Sequence, residues 1–209
     1  MQLAIIGAGN VGTAVARAAK EAGHDVTLAA AHPEQAKRVA EELGTGSATG
    51  AREAAQDAEV IVLAVPFTAA AEVADEIHDQ VAGKTVIDAT NPLNEDASGL
   101  AVTDRSGAEE IQAQLDGAHV VKAFNTVFAA NQSDAEAGGE QLDGFYAGDD
   151  EGAKKRVAEL LAAIGFRPID AGPLTAARAL EQIAFLNISL NARNGWPWQS
   201  GWKLVGPTD

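Results

Sequence analysis

Cysteine is absent from the 209-residue chain, which excludes a disulfide framework, a thiolate nucleophile and any cysteine-ligated metal. Tyrosine occurs once, as Tyr146 inside a strand pattern, so a Tyr–Lys proton relay of the short-chain-dehydrogenase kind cannot be assembled. No lysine falls between Lys155 and Lys203, and the last helical segment therefore lacks the catalytic lysine of β-hydroxyacid dehydrogenases. The four histidines, His24, His32, His78 and His119, lie far apart and form no short ligand motif, so no metal is expected. Long hydrophobic runs are also missing. The longest nearly apolar stretch, residues 60–71, contains Pro66 and is too short to span a bilayer. Basic residues are outnumbered, with 15 Lys and Arg against 30 Asp and Glu for a net charge of −15. Such a field repels nucleic acid and anionic membranes. A strand pattern begins at Gln2 without a leader pattern before it, and the expected location is cytoplasmic. An anionic cofactor in so acidic a chain needs a locally basic or N–H-lined pocket.

What is present is alternation. Short β-rich runs, QLAII (residues 2–6), DVTLA (25–29), EVIVLAV (59–65), TVIDA (85–89), HVVKAF (119–124), GFYAG (144–148) and RPID (167–170), are separated by alanine-rich helical patterns. Helices are predicted over 10–22, 33–42, 51–56, 69–81, 108–115 and 151–164, with Asp149 or Asp150 as the cap of the last of these. Residues 47–49 suggest a further short strand. Thr175 is expected to cap a long helix to about Asn194, followed by a tryptophan-rich tail. This order predicts an α/β fold: a Rossmann-like, doubly wound, mostly parallel sheet with a small C-terminal helical extension. The softest boundary divides a dinucleotide-binding unit, 1–172, from a helix and tail, 173–209.

The first strand runs into IIGAGNVGTA. Gly7, Gly9 and Gly12 give G-x-G-x-x-G between a strand and a helix, the context in which that spacing acquires meaning. Gly7 permits the tight turn, Gly9 lets the backbone approach a pyrophosphate, and Gly12 lets helix and strand pack closely. The N–H groups at the helix start then face the phosphates. The same glycines could serve a tight βα turn alone. The NAD form of this fingerprint places an acid about 20 residues on, at the end of the second strand; here that place holds Ala29, Ala30 and Ala31. The absent acid, the helix start at Pro33, and the bases His32, Lys37 and Arg38 favour NADP over NAD, with Glu34 counting against it. Lys37 and Arg38 could also belong to an ordinary solvated helix face.

Ligands of open α/β sheets lie beyond the carboxyl ends of the strands. Three loops leave such ends: AVPF with Pro66, ATNPLN with Thr90, Asn91 and Pro92, and KAFNTV with Phe124, Asn125 and Thr126. Their amides and hydroxyls can hold a carboxamide or a ring edge, or can be turn chemistry only. No side chain stands out as a proton donor, and no catalytic residue is assigned. Carbonyl reduction needs such a donor, whereas reduction of a flavin-like ring needs chiefly two rings held parallel, because the cofactors carry the chemistry.

Taken together, GAGNVG, VIVLAVPF, VIDATNPL, VVKAFNT, FYAGDD, RPIDAGPL and the terminal NGW…GWKL resemble the coenzyme F420-dependent NADP oxidoreductase family, over nearly the whole chain. Reductase domains of the STEAP type share NPL and KAFNT and are relatives. The resemblance implies hydride transfer between NADPH and a small-molecule acceptor, F420 or a flavin. It implies that residues Gly7, Ala8, Gly9, Asn10, Val11 and Gly12 hold the pyrophosphate and that Ala30, Ala31 and His32, with Lys37, meet the adenosine phosphate. It further implies that Ala64, Val65, Pro66, Asn91 and Pro92 line the nicotinamide, and that Asn125, Thr126, Leu174, Trp202 and Leu204 face the acceptor ring. The chain departs from the family pattern with AAAH after the second strand, where Ser-Arg or Arg pairs are common, and with Ala8 and Asn125 in place of threonine and histidine. Trp196, Trp198 and Trp202 read either as a wall of the acceptor pocket or as a homodimer contact. Two other readings remain: an imine or carbonyl reductase of the pyrroline-5-carboxylate reductase type, with Thr175 or a water as donor, and a protein that senses NADP(H) for a regulatory partner.

Overall fold

A sheet whose strands are apolar on both faces must be covered on both sides, and the helices of this chain do that. The computed structural model describes residues 1–102 and 104–207. In chain order the elements are β1 (Gln2–Ile6), α1 (Asn10–Glu21), β2 (Asp25–Ala29), α2 (Pro33–Leu43), β3 (Gly46–Ser47), α3 (Ala51–Gln56), β4 (Val60–Leu63), α4 (Phe67–Ile77), β5 (Thr85–Asp88), α5 (Gly107–Gln114), β6 (His119–Ala123), β7 (Glu136–Ala137), β8 (Glu140–Gln141), β9 (Asp143–Gly148), α6 (Glu151–Ile164), β10 (Arg167–Asp170) and α7 (Ala177–Asn194). Eight strands form one sheet in the order β10-β9-β6-β5-β4-β1-β2-β3. Every neighbouring pair is parallel except β6 and β9. The strand order reverses at β1, which pairs β2 on one side and β4 on the other. A doubly wound sheet opens its ligand crevice there.

Side-chain alternation divides the core. Leu3, Ile5, Val26, Leu28, Val60 and Val62 point into one apolar layer, shared with α1, α2 and α6. Ala4, Ile6, Ile61, Leu63, Val86 and Val120 point into the other, shared with α3, α4 and α5. A third, smaller cluster, Phe145, Ala147 and Leu180, joins α7 to β9 and takes in the half-buried Trp202. Leu174 and Ala177 lie in the second layer, so the 173–209 segment is packed into the sheet's cover; its last two residues lie outside the described ones.

Local signals explain most element ends. Asp150 caps α6 by accepting from the Ala153 amide at 2.7 Å, which spares Asp149 to accept from the Leu174 amide at 2.8 Å. Ser106 and Glu109 form a reciprocal capping box on α5. Thr175 does not cap the last helix. It sits inside a 3-10 turn, Leu174–Ala176, and α7 starts after it with Ala176 in the cap position and no side-chain cap. The α4 helix starts at Phe67, directly after Pro66, and gives way to a 3-10 turn at His78–Gln80. The β7–β8 hairpin, turning on Gly138 and Gly139 at positive φ, has no apolar alternation and was invisible to periodicity. Among the described residues, no helix is long and apolar enough to cross a membrane, and no group of His, Asp and Glu could hold a metal ion.

Candidate functional site

The turn between β1 and α1 has the three glycines in three different roles. Gly7 adopts φ 120° and donates its amide to the Ala29 carbonyl at 2.8 Å; a Cβ there would collide with the Ala64 carbonyl oxygen. A Cβ on Gly12 would collide with the Gly7 carbonyl oxygen. At Gly9 a Cβ would meet nothing within 4 Å. Two glycines are thus demanded by the protein's own packing, and the third keeps open the space in front of the helix start. The first turn of α1 contains no acid and its cap uses no side chain, leaving the Asn10, Val11 and Gly12 amides and the positive helix end for an anion.

On the β2 side, Ala30 is half-buried and Ala31 and His32 are exposed. His32 occupies the cap position of α2 without a side-chain bond. Gln35 reaches back and donates its Nε2 to the Ala8 carbonyl at 2.9 Å, joining α2 to the glycine turn. A cleft of about 510 Å³ opens here between α1, α2 and the loop after β6; Ala8, Gly9, Arg17, Gln35 and Arg38 are among its lining residues. Lys37 is exposed on α2 but does not line this cleft.

On the β4 side, the three loops meet at one rim. Ala64 and Val65 are half-buried beside the glycine turn, and Pro66 is exposed. Asn91 and Asn125 clasp each other: Asn91 Nδ2 donates to the Asn125 carbonyl at 3.0 Å, and Asn125 Nδ2 donates to Asn91 Oδ1 at 3.0 Å and to the Leu180 carbonyl at 3.2 Å. Pro92 is buried behind them. Phe124 turns the chain at φ 66°, a strained value for a bulky residue. It is held by Gln132 Nε2, which donates to the Phe124 and Val127 carbonyls at 3.0 Å each. The result is a pocket of about 200 Å³ in which Val11 of the helix start meets Asn91, Asn125, Thr126, Phe128 and Asn187. No titratable side chain lines it. Asn125 Oδ1 and Thr126 Oγ1 are buried with no hydrogen-bond partner among the described residues. Thr90 Oγ1 and Gln132 Oε1, on residues that hold the same loops, are likewise buried without one.

Three residues expected at the acceptor ring, Leu174, Trp202 and Leu204, are not among those that line the rim pocket. Strand β10 runs antiparallel to β6, so its end delivers Leu174 to the opposite end of the sheet, buried in the second core layer. Trp202 packs against the Phe145–Leu180 cluster. Leu204 is exposed beside a groove of about 590 Å³ at the β9–β10 edge. There the Asp143–Arg167 pair (2.6 Å) holds the tail, Asp143 through the Leu204 amide and Arg167 through the Leu204 carbonyl.

Beneath the rim lies a group that sequence reasoning missed. Lys122, fully buried, donates to Asp88 Oδ2 at 2.8 Å, to Glu181 Oε1 at 2.8 Å and to the Thr90 carbonyl at 2.7 Å. Asp88 Oδ1 accepts from the Thr90 amide at 2.9 Å, and Glu181 Oε2 accepts from the Gly107 amide at 3.1 Å. Burial pushes the Glu181 carboxyl above its ordinary range, against the pull of Lys122. Every charge has partners, which is the condition for tolerating it inside. Lys122 and Asp88 are directly paired across β5 and β6. The available signal was a single charge in each of two otherwise apolar strands, VVKA and VID.

The family model "NADP oxidoreductase coenzyme F420-dependent" matches residues 2–92. The F420-dependent NADP reductase of Methanothermobacter marburgensis is 34% identical over 212 residues, covering 93% of this chain and 94% of the relative. Metalloreductase STEAP3 of Rattus norvegicus is 31% identical over 183 residues, covering 87% of this chain and 36% of the relative. A solved structure of a candidate F420-dependent NADP reductase from Arthrobacter sp. FB24 superposes with a TM-score of 0.90 at 29% identity, covering 99% of this chain and 100% of that one.

Proposed function

The chain belongs to the F420-dependent NADP reductase family, and from that premise we propose that it is an oxidoreductase transferring a hydride between NADP(H) and the deazaflavin F420. The observation that carries the reading is the rim pocket, bounded by the Asn91–Asn125 clasp and without a titratable lining side chain. NADPH supplies the hydride when bound and F420 receives it, so the protein's work is placement and exclusion of water. The amides at Asn10, Val11 and Gly12 receive the pyrophosphate in front of open Gly9. Ala8 and the segment Ala30 to His32 border the adenosine side, with Lys37 at its outer edge. Ala64, Val65, Pro66, Asn91 and Pro92 would flank the nicotinamide, with Asn125 and Thr126 lining the pocket beside it. The buried Lys122 holds the Thr90 carbonyl and so fixes the Asn91 loop from below.

The test is hydride transfer from NADPH to F420 by the purified protein, followed by loss of deazaflavin absorbance, with FMN, FAD and a cyclic imine in parallel. Turnover with F420 above the others supports the reading. Turnover with the imine alone replaces it by the imine-reductase reading, and no turnover with any acceptor removes it.

The 173–209 segment is proposed as an arm that closes the acceptor side and carries a homodimer contact. Leu186, Trp196, Trp198, Leu204 and Val205 are exposed on it, an apolar excess of the kind protein contacts use. Trp198 is steadied by an edge-on contact with Phe128 at 5.4 Å. Sedimentation equilibrium of the wild type and of W196E/L186E checks this; a monomeric wild type ends the proposal. A cytoplasmic location belongs with it and is checked by fractionation.

A further inference from the structure

We propose that Arg38, assisted by Arg17, binds the 2′-phosphate of NADP and sets the preference for it over NAD. This rests on the reading above that the glycine turn holds the dinucleotide. The segment that ordinarily grips the ribose substituent is Ala29-Ala30-Ala31, with no polar side chain until the exposed His32. In a chain of net charge −15, a phosphomonoester placed there would meet mostly repulsion unless bases are concentrated locally.

The structure concentrates them in the cleft of about 510 Å³ beside the glycine turn. Its inner lip is Ala8, Gly9 and Asn10, next to the expected pyrophosphate path. Gln35 is fixed to the Ala8 carbonyl at 2.9 Å, which pins the first turn of α2 over that lip. Arg38 follows Gln35 by three positions, on the same side of the helix, and lines the cleft. Among the described residues Arg38 makes no ion pair. Arg17, on the outward side of α1, lines the same cleft and meets Glu42 at 3.3 Å, with both side chains largely exposed. So weak a surface pair is readily exchanged for a phosphate. No aspartate or glutamate lines the cleft, and Thr13 and Ser133 add hydroxyl groups to it. Lys37 is not among the residues that line this space. A guanidinium suits a phosphomonoester because it offers a planar pair of donors.

The experiment uses 2′,5′-ADP and 5′-AMP, which differ by the one phosphate, with calorimetry on the full chain. The wild type is expected to bind 2′,5′-ADP at least about tenfold more tightly than 5′-AMP. R38A should bring that ratio below about threefold with 5′-AMP affinity retained, R17A should lower it partially, and R38K should restore part of it. A wild type that does not distinguish the two nucleotides overturns the proposal. So does an unchanged ratio in R38A, an equal loss for both nucleotides, or a ratio lost in K37A and kept in R38A. The Michaelis constants give the second readout. R38A raising that for F420 alone would assign the cleft to the acceptor's anionic groups and overturn the proposal. If the ratio behaves as expected but no acceptor is reduced, the reaction reading falls and the phosphate site stands. If the reaction runs and the ratio is absent, the reverse holds.

Discussion

At the residue scale, the glycine turn separates what the fold requires from what a ligand requires. Gly7→Ala places a methyl against the Ala64 carbonyl at a φ that alanine resists, a cost of about 3 kcal/mol or more. Thermal denaturation should show a melting temperature lower by roughly 6–12 °C. Gly9→Ala differs, because φ is −83° and the Cβ position is open. The variant should melt with the wild type while its NADPH affinity, read by calorimetry, falls at least about tenfold. Equal melting and equal affinity would show that the open face is not a ligand path. The motif and its spacing were legible in the sequence; which glycine serves packing and which serves space was not, because that depends on the Ala64 carbonyl from a distant strand.

At the element scale, α7 is joined to the body by charges. Lys122→Met would leave Asp88 and Glu181 buried without their cation. The expected loss is about 3–5 kcal/mol, measurable by urea denaturation. At the outer end, Arg178 of α7 grips Glu109 of α5 at 2.6 and 2.8 Å and holds its carboxyl down to about 2 from an ordinary 4.5. A depressed carboxylate contributes fully above its unfolded value and loses its contribution as pH falls through the folded one. Stability from this contact should therefore be complete above about pH 4.5 and decline toward about pH 2. Arg178→Gln should cost roughly 0.5–1 kcal/mol at neutral pH, since the arginine is half exposed, and should shrink that acid dependence. Denaturant titrations at neutral and acid pH would check both. Strands and helices were readable from periodicity. The 3-10 start of α7 and the β7–β8 hairpin were not, because short polar segments held by remote partners such as Asp149 carry no period of their own.

At the scale of the whole molecule, 30 acids against 15 bases set a self-repulsion that salt relieves. At 0.1 M salt, exposed charges more than about 10 Å apart are largely screened from one another. Raising sodium chloride from low concentration to about 0.5 M should raise the melting temperature by a few degrees, and scanning calorimetry would register it. A fall instead would mean that surface ion pairs such as Lys203–Glu140 (2.6 Å) outweigh net repulsion. The same field explains why bases inside clefts carry more meaning here than in a neutral protein.

The amino-acid order alone determined the doubly wound fold, the glycine turn and the three rim loops, because each depends on local periodicity or on spacing within one βα unit. Tertiary structure alone decided the rest. It paired Lys122 with Asp88 by strand register, set Arg38 rather than Lys37 beside the glycine turn, and sent Leu174 to the far end of the sheet because β9 and β10 run against β6. Side chains that meet across strands or between helices do so by packing geometry, which no single segment encodes.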